Sequence, residues 1–299
     1  MSENTKTKTL KAAQISLRRK RIASLTIRYL VLVAVGIFMV YPLVWMVGAT
    51  FKNNSEIFSS MNPIPMNPTF EGYKGAMVTY GGAINIWKAM LNTYTYLIPE
   101  VIFTVVSSVL TAYGFGRFKF KGRDIMFSLL MAMLFLPQVV LNVPQFLLYN
   151  KLGWIGSPLY LPLIVPTLFA SETYFVFMLI QFLRNIPKEL EEAAKIDGCN
   201  AMQTLVKIVV PMLMPAIASC ALFKFMWTSN DFMGPLLYVK SPAKYPATIF
   251  VRLSMDAESG FEWNKVLAIS LISILPNIAV FFAAQNQFVE GISAGGVKG

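Results

Sequence analysis

Six long apolar segments, separated from one another by polar stretches, constrain this chain more than any other feature of its sequence. They lie at about residues 29–51, 89–116, 125–150, 162–183, 205–228 and 266–289. A helix that crosses the hydrocarbon core of a bilayer needs about 20 predominantly apolar residues, and each segment is about that long or longer. Because backbone polar groups in lipid must be satisfied within the protein, each segment is expected to be helical. The sequence therefore predicts an all-α integral membrane protein with six transmembrane helices.

The distribution of Lys and Arg predicts which side of the membrane each loop faces. Six spans place both termini on one side. If that side is the cytoplasm, the inside segments hold 17 of the 26 Lys and Arg residues, whereas the outside loops hold 8. An excess of positive charge marks cytoplasmic loops, so the orientation is N-in and C-in. The prediction divides the chain into a basic cytoplasmic segment (1–28), a transmembrane domain (29–289) with a cytoplasmic loop (184–204), and a cytoplasmic tail (290–299).

Composition excludes several functional classes. The chain has no histidine, and its two cysteines, Cys199 and Cys220, fall in different predicted environments, so neither a metal site nor a disulfide framework is expected. The formal net charge of +11 comes from basic residues that flank the spans, which indicates membrane anchoring and not a nucleic-acid surface. A membrane enzyme would need a Ser/His/Asp or metal constellation, and no such pattern is present in the sequence.

The loop between spans four and five predicts a short helix–turn–helix. Asn185 can cap a helix, Pro187 suits its first turn, and Gly198 can take the left-handed conformation that ends it. Asn200 and Gln203 are spaced as a variant capping box for a second helix. The helix can enter a groove on a partner protein, or it can be an ordinary amphipathic connector. Its apolar stripe consists of Ile186, Leu190, Ala193 and Ala194.

This loop resembles the EAA loop of permeases in ATP-binding-cassette (ABC) importers. The family pattern is EAA, three residues, Gly, nine residues, then Ile-x-Leu-Pro, and only Val210 departs from it. Segments 112–122, 137–153, 186–198, 227–235 and 291–299 are similar to the carbohydrate branch of that family. The matching motif residues are Glu192, Ala193, Ala194, Gly198, Ile208 and Pro211.

The resemblance implies a permease subunit that forms half of a sugar translocation path in the cytoplasmic membrane of a prokaryote. Its implied partners are a second homologous permease, two ABC ATPase subunits and an extracytoplasmic solute-binding protein. The chain itself would bind no cofactor, with ATP and Mg held by the ATPases, and the sequence contains no phosphate-binding loop motif. The implied ATPase-coupling residues are those of the motif, together with Asp197 and, in the tail, Lys298.

Two carboxylates inside the spans are candidates for the translocation path. A carboxylate at the bilayer centre costs ~2.5–3.5 kcal/mol or more, so it usually faces the bundle interior or a water-filled path. Glu172 and Glu100 can line that path, or they can bind a hydroxyl or amide on another helix. They are also the proton or ion sites of an alternative function, that of a secondary transporter driven by an ion gradient. That alternative leaves the EAA-like loop unexplained, and exporters of the same superfamily usually lack this loop.

Neutral polar and aromatic side chains form a second set of path candidates. Gln138 and Asn142 are four residues apart on one face of a helix that Pro137 should kink, and they can bind sugar hydroxyls or a neighbouring helix. Asn230 and Trp227 combine an amide with an aromatic ring, a pairing that binds sugars, although Trp also anchors helices at membrane interfaces. Nearby, the in-span Lys224 would allow an acidic sugar.

Overall fold

The computed structural model describes the backbone of residues 3–255 and 262–296 and the side chains of residues 21–255 and 262–285. Within these ranges all regular secondary structure is helical. Three short segments are not α-helical: the 3-10 helices Val165–Phe169 and Pro242–Lys244, and the π-helix Leu205–Val209. The α-helices are α1 (Glu3–Ala49), α2 (Asn54–Ile57), α3 (Glu71–Ala76), α4 (Ile86–Arg117), α5 (Arg123–Met133), α6 (Gln138–Lys151), α7 (Leu161–Ile164), α8 (Thr173–Leu183), α9 (Glu189–Ile196), α10 (Ala201–Thr204), α11 (Val210–Ser229), α12 (Met233–Tyr238), α13 (Ala247–Leu253) and α14 (Trp263–Gly296).

Five helical stretches in the described part of the chain are long and apolar enough to cross a membrane. They overlap five of the six predicted spans. The remaining predicted span, residues 125–150, consists of α5 and α6, whose axes are bent by 106°. Counting this bent pair as one span gives six. The five single stretches are Arg21–Ala49, Ile86–Arg117, Leu161–Leu183, Ala201–Ser229 and Trp263–Gln285.

The bend between α5 and α6 has a local cause at Pro137. The proline ring disfavours the α conformation in the preceding residue, Leu136, and it removes one backbone donor. The amide of Leu136 instead donates to the carbonyl of Met133 at 3.2 Å, a tight turn that ends the helix. Pro137 then stands as the extended residue before α6. The kink predicted at this proline is therefore a break between two helices.

The fourth span is also interrupted, and here the prediction of one helix over 162–183 is corrected. Tyr160 and Ala170 have φ values of 53° and 52°, in the left-handed region, and between them lie α7 and a 3-10 helix. The left-handed conformation costs an L-residue roughly 1–2 kcal/mol, which the packing of Tyr160 offsets. That side chain is 2% exposed, and its hydroxyl donates to the carbonyl of Lys244 at 2.9 Å. Glu172 consequently lies just before α8, at a helix start and not within a helix.

Helix α4 is at the centre of the packing, against α8 on one side and α11 on another. Small residues let these helices approach closely, as is typical of membrane bundles. Ala112 and Ala216 are fully buried, and a Cβ added at Gly116 would collide with Leu183. A second core joins α14 to α3, α4 and α13. The first core includes Val109, Ala112, Val176, Leu179, Val209 and Leu213.

Helix α1 contributes little to either core. Side chains along its apolar half are bare, with Phe38 81% and Met39 70% exposed, and burial begins only at its end with Ala49. Such a long apolar surface is stable in lipid or against another protein, not in water. The helix therefore fits a membrane span better than a soluble element.

Candidate functional site

The EAA-like loop folds as two short helices, α9 and α10, between the fourth and fifth long stretches. Ala194 is 4% exposed and packs inward, whereas Glu192 and Ala193 are exposed. Ile196, which the predicted stripe did not include, is 87% exposed. Residues three apart are neighbours on a helix surface, so Leu190, Ala193 and Ile196 form an exposed apolar ridge next to the Glu192 carboxylate.

The ends of this loop are defined by backbone geometry. Gly198 has a φ of 88° and ends α9, as predicted. The amide of Gln203 donates to the Asn200 side chain and the Gln203 side chain accepts from the Asn200 amide, both at 2.9 Å, which confirms the capping box. The predicted N-cap is wrong, because α9 begins at Glu189 after Lys188 and not after Asn185. After Leu183 the backbone first forms a tight turn, in which the amide of Ile186 donates to the carbonyl of Leu183 at 3.2 Å, and α9 begins only after this turn.

The remaining motif residues lie at the start of the fifth stretch. Ile208 belongs to the π-helix Leu205–Val209, and the exposed Pro211 follows it at the start of α11. A proline has no amide hydrogen, so the turn before it loses an α-helical bond and can widen. The amide of Val210 accordingly donates to the carbonyl of Leu205, five residues back.

An arginine at the end of α4 joins this loop to the membrane helices, and sequence reasoning missed it. Arg117 forms an ion pair with Glu191 of α9, and its second nitrogen donates to the carbonyls of Leu183 at 3.0 Å and Ile186 at 2.8 Å. The two charged side chains are only 8% and 13% exposed. Tyr113, one turn earlier, donates its hydroxyl to Glu191 at 3.4 Å. The signal available in the sequence was the position of this arginine, directly after the last uncharged residue of the predicted second span.

A buried charge cluster connects three helices of the membrane domain. The Lys224 ammonium lies 3.1 Å from a carboxylate oxygen of Glu100 and 2.8 Å from one of Glu172. Lys224 and Glu100 are each 7% exposed and Glu172 is 34% exposed. Thr228 completes the cluster by donating its hydroxyl to Glu100 at 2.9 Å. Both candidate carboxylates therefore share one cation, which the sequence left without a partner.

The amides of the bent third span lie apart from this cluster. Gln138 is exposed and Asn142 half-buried on α6. Gln138 donates to Gln145 at 3.3 Å across two turns, so these side chains share a face. Among the hydrogen bonds of the described residues, none joins Gln138 or Asn142 to the charge cluster.

The predicted pair Asn230 and Trp227, at the C-terminal end of the fifth stretch, separates into two environments. Trp227 is 47% exposed and packs its ring against Tyr174 and Phe175, with centroids 5.4 and 5.1 Å away. Asn230 donates to the carbonyl of Met226 at 2.7 Å and lines a cavity. The two side chains thus do not form one binding pair.

Two predicted coupling residues remain to be placed. Asp197 is exposed and directly follows α9, beside the motif residues. Lys298 lies outside the described residues. Among the described side chains, those of residues 21–255 and 262–285, no group of three or more His, Cys, Asp or Glu residues is arranged to hold a metal ion.

Comparison with known proteins identifies the family. Residues 104–287 match the binding-protein-dependent transport system inner membrane component family. The chain belongs to this permease family. It is 30% identical to the galactooligosaccharides transport system permease protein GanQ of Bacillus subtilis, over 94% of this chain and 98% of that one. It is 29% identical to the trehalose/maltose transport system permease protein MalG of Thermococcus litoralis, over 89% and 94%.

A solved structure has the same fold. The permease superposes on a chain of a bacterial ABC transporter involved in the import of the acidic polysaccharide alginate, with a TM-score of 0.76 and 20% identity. The match covers 91% of the permease and 98% of that chain. The family match shows that the permease is an inner-membrane transport component and not an enzyme, and the matched region contains Glu172, Lys224 and the whole EAA-like loop.

Proposed function

We propose that this permease is one half of the translocation path of an ABC importer for a sugar or oligosaccharide. The observation that carries the proposal is α9, which exposes the ridge of Leu190, Ala193 and Ile196 beside Glu192 while Arg117 holds it to α4. An apolar ridge with an adjacent carboxylate suits a groove on a partner protein. The substrate class comes from the relatives named for galactooligosaccharides and for trehalose and maltose.

The orientation follows from charge. With both termini in the cytoplasm, the loop containing α9 faces the ATPases, the turn containing Lys119 and Lys121 lies on the same side of the membrane, and the polar segments around α2, α3 and α13 face outward. The excess of Lys and Arg on the proposed inner side supports this arrangement. The outer segments then meet the extracytoplasmic solute-binding protein, and the bare surface of α1 meets lipid or the second permease.

Coupling would run through α9. Closure of two ABC ATPase subunits, which bind ATP and Mg, pushes a groove against Glu192, Ala193 and the exposed Asp197. Gly198 and the following capping box fix the angle at which α9 meets the fifth span. Arg117 passes the displacement to α4, and the π-helix before Pro211 gives the inner end of α11 a turn that can change its pitch. The tail with Lys298 is proposed to reach the ATPases as well.

The charge cluster weighs against transport driven by an ion gradient. Lys224 bonds to both Glu100 and Glu172, so each carboxylate already has a partner within the protein, and a transporter of that kind would leave the EAA-like loop without a role. The cluster would instead hold α4, α8 and α11 in one arrangement of the path.

Affinity purification of the chain from its native membrane, gently solubilised, tests the proposal. We expect a second permease, an ATPase pair and ATP hydrolysis that a sugar-loaded binding protein stimulates. Recovery of the chain alone, with sugar uptake driven by an ion gradient, would contradict it. A retained binding protein can then be screened against neutral and acidic glycans to name the substrate.

A further inference from the structure

A cavity of about 330 Å³ lies between α4, α11, α13 and α14, and its lining includes no residue of the charge cluster or of the coupling loop. Eight of its 13 lining residues carry a hydroxyl or an amide, and none carries a charge. A membrane domain has little reason to collect so many polar groups around empty space, because each costs free energy in an apolar setting unless it is bonded. The lining includes Tyr94, Asn230, Phe232, Ser270, Ser273 and Asn277.

Asn277 is the lining residue whose hydrogen bonds are incomplete. Its side chain is 6% exposed, and its carbonyl oxygen is buried without a hydrogen-bond partner. Buried side-chain polar atoms in folded proteins nearly always have a partner, so an orphan of this kind calls for a ligand or a water. In the span, Asn277 lies 14 residues after Trp263, or about 21 Å along α14 at 1.5 Å per residue, which is close to mid-membrane.

Three further polar groups of the wall keep an acceptor. Ser270 and Ser273 donate their hydroxyl hydrogens to the carbonyls of Val266 and Ile269, each at 2.8 Å. Asn230 uses its amide nitrogen on the carbonyl of Met226. A serine oxygen keeps acceptor capacity after donating, and so does the Asn230 carbonyl. A ligand rich in hydroxyl donors therefore matches this wall, with the ring of Tyr94 supplying a flat surface.

The surrounding charges select against an anionic ligand. Asp231 lies within electrostatic range of Lys224 and Glu172. The outer part of α11 thus has three carboxylates nearby, including Glu100, against one ammonium that is already engaged by two of them. Lys224, which on sequence grounds would allow an acidic sugar, is thus already paired with Glu100 and Glu172. Like charges repel more strongly in a weakly solvated site, so a carboxylated sugar is disfavoured.

We infer that this cavity binds one unit of a neutral glycan, with Asn277 hydrogen-bonding a sugar hydroxyl. The inference rests on the proposed function and deepens it, because it names the ligand class and the residues on this subunit. In the proposed orientation the cavity extends inward from Asn230, at the outer end of α11, and from Thr248 of α13, towards Asn277.

The test uses the purified importer complex with its partner subunits. Radiolabelled galactotriose, maltotriose, arabinotriose, trehalose and an alginate pentasaccharide are first offered to the wild-type complex in proteoliposomes with its binding protein. We expect uptake of at least one neutral probe and not of the alginate pentasaccharide. The transported probe is then bound to the complex without its binding protein, so that Kd reports the permease alone.

Asn277→Leu should raise that Kd about tenfold, the effect of one lost hydrogen bond. Its Tm should stay the same or rise, because an unpartnered buried carbonyl has been removed, whereas a purely structural Asn277 would lower the Tm. Ser273→Ala should raise Kd, with Ser219→Ala as the matched control. Ser219 has the same bond to the carbonyl four residues back, at 3.0 Å, but does not line the cavity.

Three results would overturn the inference, and they are distinguishable. An unchanged Kd in both cavity variants would mean that the cavity holds only water, while the proposed function stands. Preferential uptake of the alginate pentasaccharide would contradict the neutral ligand but not the importer. Failure of the wild-type complex to take up any of the five probes would contradict the sugar assignment together with the cavity proposal.

Discussion

Among single residues, Lys224 is the one on which the buried charges of the membrane domain depend. It is the only cation bonded to Glu100 and Glu172 among the described side chains. Lys224→Met keeps the length of the side chain and removes the charge, leaving two carboxylates without compensation. Removing one partner of a buried ion pair costs about 3–5 kcal/mol, so we expect a marked fall in the Tm of the purified complex.

Two variants show whether this loss is electrostatic. Adding Glu100→Gln and Glu172→Gln to Lys224→Met removes the uncompensated charges, and most of the lost Tm should return. Lys207→Met, the same change at an exposed lysine lower in the same stretch, should leave the Tm unchanged. A triple variant as unstable as the single one would mean that packing of the lysine stem, and not its charge, matters.

Gly198 allows a separate test of the loop at residue scale. Its φ of 88° is left-handed and no atom lies within 4 Å of an added Cβ, so Gly198→Ala imposes only backbone strain of about 1–2 kcal/mol. Gly122→Ala imposes the same strain, at a φ of 85° and with equally open surroundings, in the turn before α5. We expect binding-protein-stimulated ATP hydrolysis to fall in Gly198→Ala and to persist in Gly122→Ala. Equal losses would show a general effect of strain on the fold.

The sequence predicts the conformation and contacts of some residues better than those of others, for a physical reason. Gly198 and the Asn200–Gln203 capping box depend on local geometry, which neighbouring residues specify. The partners of Glu100 and Glu172 depend on how distant helices pack, which no local pattern specifies. A useful signal was still present, since in-span charges of both signs favour pairing over exposure to a path.

At the scale of elements, α4 links the two ends of the proposed mechanism. Its C-terminal end holds α9 through Arg117, and its middle holds α11 through Glu100 and Lys224. Arg117→Met should leave assembly and basal ATP hydrolysis in place and sharply reduce stimulation by the binding protein, because α9 would no longer be fixed to α4. Stimulated and basal rates of the reconstituted complex provide the measurement.

Companion variants separate coupling from folding. Arg117→Met with Glu191→Gln removes the stranded carboxylate, so stability should recover while stimulation stays low. Arg117→Lys should restore part of the stimulation, because lysine keeps the charge but not the planar fork that reaches two carbonyls and a carboxylate. Lys119→Met, at an exposed position two residues on, should behave as wild type. Full stimulation in the double variant would show that Arg117 only stabilises the fold.

The elements themselves were predicted unevenly. Long apolar runs identify α1, α4, α11 and α14 because length and hydropathy are enough to define a continuous span. For span three the sequence predicted only a kink, and for span four it predicted one unbroken helix. Proline is tolerated inside many membrane helices, so Pro137 alone cannot distinguish a kink from a 106° bend, and nothing local marks the left-handed Ala170.

As a whole molecule, the permease is proposed to combine a membrane path with a docking helix and to use energy supplied by other subunits. The family match and the EAA-like loop agree on this division, and the sequence has no nucleotide-binding motif of its own. We propose that the charge cluster holds its helices together and does not conduct ions. If Glu100 and Glu172 form a structural ion-pair cluster, ATP hydrolysis drives transport. If they are proton or ion sites, an ion gradient drives it.

The most direct measurement is uptake of the transported sugar by proteoliposomes that contain the complete complex, with its binding protein on the proposed outer face. Our account predicts accumulation only when ATP and Mg are supplied to the side with α9, unaffected by ionophores that dissipate proton and sodium gradients. Glu192→Lys should abolish this uptake while the complex still assembles. Accumulation driven by an imposed ion gradient without ATP, and lost in Glu100→Gln, would contradict the account.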